Sequence, residues 1–103
     1  MNQKYEVRYL PLFEFDLQAA RDYIAFNLRN LQAALQLIDE TEKAIQKRLS
    51  APTSYEPFRS NRNRKHAYYR IHVRNYLVFY VVIDHIMEVR RFLHSRQDVK
   101  NLL

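Results

Sequence analysis

The spacing of apolar positions divides the chain into segments of different period. Residues 5–10 (YEVRYL) alternate weakly and are rich in strand formers, which predicts a short first strand closed by Pro11. From about residue 13 to 28, Leu17, Ala20, Ile24 and Leu28 recur at helical spacing behind Asp16, predicting a first helix. Asn30 offers an N-cap for a second helix, in which Leu31, Ala34, Leu35, Ile38, Ile45 and Leu49 form one apolar stripe that ends at Ser50-Ala51-Pro52. The connection over residues 27–30 is short, so the helices should be antiparallel neighbours with a shared apolar face.

Residues 50–66 have no period. They carry Pro52, Pro57, Asn61 and Asn63 together with Arg59, Arg62, Arg64 and Lys65, the composition of a basic loop. The period then becomes two: residues 68–73, 76–83 and 86–93 are three strand segments, separated at hairpin distance by Asn75 and by Asp84-His85. The expected fold is α+β in the order β-α-α-β-β-β. It has an N-terminal strand, then an antiparallel helix hairpin packed on one side of a mainly antiparallel sheet, the last three strands forming a meander. Residues 98–103 should add a last helical turn. The opposite face or an edge of the sheet would be left for a partner.

Composition narrows the chemistry. With 103 residues, 48% of them hydrophobic, the chain has room for one domain over residues 1–103 and enough apolar mass for one core. Without cysteine there is no disulfide, thiolate zinc site or cysteine nucleophile. Without glycine there is neither a P-loop nor a GxGxxG fingerprint, which need backbone that approaches phosphate without a Cβ. Tight turns must then rely on Asn, Asp and Pro. No HExxH or acidic cluster supplies ligands and the four histidines lack ligand spacing, so neither a metal nor a cofactor is expected. The serines stand in no nucleophile-elbow context. No stretch approaches the roughly 18 apolar residues of a membrane span, and the N-terminus lacks a signal-peptide core, so a cytoplasmic protein without membrane contact is expected. A net charge of +6 attracts polyanions, whether nucleic acid, an anionic membrane or an acidic protein.

Strand alternation puts Arg70, His72 and Arg74 on one face and Ile71 and Val73 on the other, and makes residues 76–83 a central strand buried on both sides. Arg91, His94 and Arg96 follow near the sheet's end. With Arg59, Arg62, Arg64 and Lys65 they would form one concave positive surface, although scattered cations equally keep a small basic protein soluble. His72, between two arginines, would serve as a neutral general base or be a plain strand histidine. His94 is a target contact or a capping residue, and His66 and His85 fall in loops. Tyr68, Tyr69, Tyr76 and Tyr80 interleave with Arg70 and Arg74, the pattern of a single-strand nucleic-acid platform and equally of ordinary strand residues.

Three strings, in order, carry a resemblance over essentially the whole chain. They are Asp16-Leu17 with Tyr23-Ile24; Tyr69-Arg70-Ile71 followed by Asn75-Tyr76-Leu77-Val78-Phe79-Tyr80; and Val89 through Arg91 to Leu93-His94-Ser95-Arg96-Gln97-Asp98. Together they resemble the RelE/ParE superfamily, the toxins of type II toxin–antitoxin systems. The resemblance implies a cognate antitoxin whose extended or helical tail lies across the toxin. It implies one of two effectors: DNA gyrase for ParE-like members, or the ribosome and its mRNA for RelE-like members. In the nuclease case a metal-independent attack of the ribose 2′-hydroxyl is implied. Arg70 and His72 then stand in place of two strand lysines and Arg96 in place of a late arginine, as phosphate clamp, general base and transition-state cation. Two departures follow: Leu77 occupies the position of a central-strand arginine, and Leu102 roughly that of a C-terminal tyrosine. The long helix hairpin and residues 91–98 look more like the ParE branch. Whichever the effector, Arg59, Arg62, Arg64, Lys65, Arg74, Arg91 and His94 are the candidate nucleic-acid or target contacts. A reading without toxicity, as a binding module only, also remains.

Overall fold

A computed structural model describes residues 4–58 and 65–103. Strand β1 (Glu6–Tyr9) ends where Leu10 caps helix α1 (Pro11–Asp22), whose first residue is proline, a position where the missing N–H costs nothing. Helix α1 continues into a single π turn, Tyr23–Asn27, in which the Leu28 amide reaches back to the Tyr23 carbonyl at 3.2 Å. Arg29 then adopts φ 53° and the chain reverses into helix α2 (Leu31–Arg48), capped as expected by Asn30, whose side-chain oxygen accepts from the Ala33 amide at 3.0 Å.

Helix α2 buries part of its expected stripe, Ala34, Ile45 and Leu49, and leaves Leu31 and Leu35 out. The buried positions are Ala34, Leu37, Thr41 and Ile45, so Leu31 and Leu35 stand in solvent, as does Leu28. The sequence carries two overlapping apolar stripes, and the sheet takes the one containing Thr41, whose hydroxyl is satisfied by donating to the Leu37 carbonyl at 2.7 Å. At the helix end Arg48 lies 3.4 Å over the Tyr55 ring and donates to the Tyr80 hydroxyl at 2.9 Å. The Tyr80 hydroxyl in turn donates to the Pro52 carbonyl at 2.7 Å, and this chain of contacts holds the start of the following loop against the core.

Strands β2 (Tyr69–Val73), β3 (Tyr76–Ile83) and β4 (Ile86–His94) form the expected antiparallel meander. Strand β1 joins it beside β4 in parallel, giving the order β1-β4-β3-β2. In the absence of glycine, Arg74 and Asp84 take the left-handed conformation of the two tight turns, each at φ 55°. A bulge interrupts the β3–β4 register: Phe79 opposes Arg91 while Tyr80 opposes Val89, leaving Arg90 as the extra residue. Val89 and Phe92 consequently face the helices together and Leu93 faces away.

Both faces of the sheet are covered. Phe13, Ala20, Leu37, Ile45, Leu49, Ile71, Val73, Val78, Tyr80, Met87, Val89 and Phe92 make the core under the helices. On the far side, which the sequence left open for a partner, Leu77, Phe79, Val81 and Leu93 are sealed by Tyr68, Phe58 and the C-terminal segment, through Val99 of helix α3 (Val99–Leu102) and Leu103. That burial of β3 on both sides agrees with its continuous apolar run. Among the described residues no helix is long and apolar enough to cross a membrane.

Candidate functional site

The structure separates the cations that strand alternation grouped. Arg70 and His72 are exposed on the far face, with Arg70 5.1 Å over the Phe58 ring. Arg74 is not in their row. Its left-handed turn swings it to the helix side, where it grips Glu40 of α2 with both guanidinium arms at 2.6 and 3.0 Å. The hydrogen bonds from Arg74 hold the Glu40 carboxyl below its ordinary pKa.

Arg91 is also withdrawn from the surface, its side chain 17% exposed. It donates to both carboxylate oxygens of Asp16, at 2.7 and 3.1 Å, and to the Leu102 carbonyl at 3.0 Å. The reason lies in the sheet edge: β1 ends opposite Val89, so the next stretch of β4 has no strand beside it. Asp16 of α1 takes that place, accepting from the Phe92 amide at 3.0 Å while balancing the Arg91 charge.

Arg96 lies exposed in the turn after β4, on the other side of β3 from Arg70 and His72. Across the sheet His72 opposes Leu77 and Leu77 opposes Leu93, so leucines fill the ground between these cations. His94 serves the same turn: its amide donates to Gln97 at 2.7 Å and its Nδ1 accepts from the Arg96 amide at 3.1 Å, which leaves the proton of the neutral ring on Nε2. Its ring also meets Tyr76 edge-on at 5.1 Å. Lys65 is exposed, and Arg59, Arg62 and Arg64 lie outside the described residues.

The tyrosines form no platform for bases. Tyr69 stacks on the buried Tyr80 at 5.4 Å on the helix side, and Tyr68 is buried on the other. Two far-side cations that sequence reasoning did not single out, Arg8 and Arg90, converge on the buried Glu88. Arg8 approaches through Nε at 2.9 Å and through a second, shorter contact, and Arg90 through Nε at 2.8 Å. Burial pushes the Glu88 carboxyl up, and the hydrogen bonds from both arginines outweigh it, so its pKa is held below the ordinary value.

A cleft of about 320 Å³ opens between the tip of the helix hairpin and the end of the sheet. Tyr23, Ile24, Leu28, Leu37 and Tyr76 give it apolar walls, with Asn30, Arg74, Asn75 and His94 supplying polar groups. Burial raises the Tyr76 hydroxyl pKa above its ordinary value. Apolar walls with a few polar groups are the composition of a binding cleft.

The family model for the ParE toxin of the type II toxin–antitoxin system parDE matches residues 7–99. A solved structure described as the chromosomal ParDE TA system from P. aeruginosa superposes with a TM-score of 0.72. It covers 90% of this chain and 98% of that one at 9% identity, a likeness of fold. No curated protein matches the chain in sequence. The family match runs from β1 through the hairpin, the bulged sheet and the Asp16–Arg91 lock to the start of α3, and the chain therefore belongs to the ParE toxin family of type II toxin–antitoxin systems.

Proposed function

We propose that this toxin arrests growth by acting on DNA gyrase rather than by cutting mRNA, and that a cognate antitoxin neutralises it. The observation that carries the choice of effector is Leu77. A nuclease of the RelE kind needs a cation on the central strand to stabilise the phosphorane, and loss of one such electrostatic donor typically costs about 10² to 10³ in rate. Here that position is a leucine, 7% exposed in the apolar layer with Leu93 and Leu103. Arg70 and His72 on β2 thus have no cation at Leu77 on the strand beside them.

The antitoxin reading rests on two complementary features. The hairpin-tip cleft offers apolar walls for anchoring side chains, beside the exposed Leu28, Leu31 and Leu35. The net charge of +6 favours an acidic partner segment.

Inducible expression in a bacterium, with thymidine and amino-acid incorporation followed in parallel and the neighbouring antitoxin gene present or absent, tests the proposal. The expected result is early loss of DNA synthesis with chromosome breakage, relieved by the antitoxin. Arg70→Ala, His72→Gln and Arg96→Ala combined should leave the arrest in place. Rapid loss of translation with ribosome-dependent mRNA cleavage, abolished by those substitutions in a folded protein, would overturn it.

A further inference from the structure

Helix α1 and its π turn carry four large apolar side chains left half or more exposed among the described residues: Leu12, Phe15, Tyr23 and Phe26 are 49%, 69%, 52% and 73% exposed. Their spacing is symmetric. About the exposed Ala19, Phe15 and Tyr23 stand four residues away on either side, and Leu12 and Phe26 seven. At α-helical pitch Leu12, Phe15 and Tyr23 fall within roughly 40° of the Ala19 direction, and Phe26 follows on the exposed side of the π turn.

A stripe that reads alike in both directions, with its smallest side chain at the centre, suits one partner above others. In a twofold contact each residue i meets j and each j meets i. Two antiparallel copies of α1 crossing at Ala19 would set Phe15 of one protomer against Tyr23 of its partner and Leu12 against Phe26, with the paired alanines allowing close approach of the backbones. We propose that the chain pairs with a second copy of itself through this face.

Charge supports that occupant over an acidic tail or nucleic acid. In a chain of net charge +6, α1 carries Glu14, Asp16 and Asp22 against Arg21 alone, so it is locally acidic. The carboxylates that the twofold brings near each other, Asp16 of one protomer and Asp22 of its partner, are each neutralised at home, by Arg91 at 2.7 Å and by Arg21 at 2.9 Å. The area is sufficient. Three aromatics and a leucine exposed to this extent present roughly 500 Å² per copy, or about 1,000 Å² in all, the lower bound of a specific interface. An interface at this lower bound is expected to dissociate on dilution.

The absence of cysteine provides a direct test, because Ala19→Cys introduces a single thiol on the proposed twofold axis. Lys43→Cys, on the exposed side of α2, is the control. The full chain should sediment as a monomer–dimer equilibrium across micromolar concentrations. Under mild oxidation Ala19→Cys should cross-link at least about tenfold faster than Lys43→Cys, since aligned thiols react at a raised effective concentration. Adding Phe15→Asp, at a site exposed enough to spare the fold, should return the protein to monomer with an unchanged circular dichroism spectrum and remove the cross-linking advantage. A monomer at every concentration overturns the proposal, and so does a dimer in which the Ala19→Cys thiol reacts no faster than the control. Neither readout depends on toxicity or on gyrase.

Discussion

Single residues show why cation counting misassigned part of the surface. Arg91 and Arg74 read as exposed charges in the sequence, yet each holds a carboxylate from a helix far away in the chain, Asp16 and Glu40. No local pattern announces a partner 75 residues distant. The Asp16–Arg91 pair is largely shielded from water, and losing one member leaves the other's charge and the Phe92 amide without their partner. Asp16→Ala should therefore destabilise the fold by about 3 kcal/mol in urea unfolding, and Arg91→Leu in the same chain should recover part of that loss. Glu88 sets a pH dependence. Its folded pKa lies below the ordinary 4.5, so its contribution is fully present above the unfolded pKa and is lost as pH falls through the folded one. Thermal melts of the wild type should fall more steeply below pH 4.5 than those of Glu88→Gln, whose side chain does not titrate.

At the level of elements, local chemistry was legible wherever the cause was local. The Asn30 cap of α2, the β2–β3 and β3–β4 hairpins and the doubly buried β3 all follow from nearest-neighbour spacing, whereas Pro11, expected only to close the first strand, also opens α1. Replacing Asn30 by Ala removes the 3.0 Å bond from the Ala33 amide and should cost about 1 kcal/mol in denaturant unfolding, with little change in the denaturant slope. The facing of α2 was not legible in this way. Its Leu31/Leu35 stripe is as apolar as its Ala34/Leu37/Thr41/Ile45 stripe, and only the sheet beneath decides which is buried. Strand β4 presents the same difficulty in another form: strict alternation would place Val89 and Phe92 on opposite faces, and the Arg90 bulge brings them together.

For the whole molecule, apolar surface and charge are segregated. The outer face of α1 bears the symmetric stripe from Leu12 to Phe26, and the cleft lined by Leu28 and Leu37 occupies the hairpin tip. The exposed Arg70, His72 and Lys100 lie elsewhere, on β2 and α3. Pairing through α1 would leave both copies' far faces outward, so self-association and target binding need not compete. The sequence by itself determined the element order, the meander, the lack of cysteine and glycine chemistry and the family likeness, because periodicity, turn chemistry and composition act between near neighbours. Tertiary structure alone decided which leucines stay in solvent, which arginines are locked to carboxylates and that Leu77 is sealed beneath Leu103, because each depends on residues brought together only when the helices and the C-terminal segment close over the two faces of one sheet.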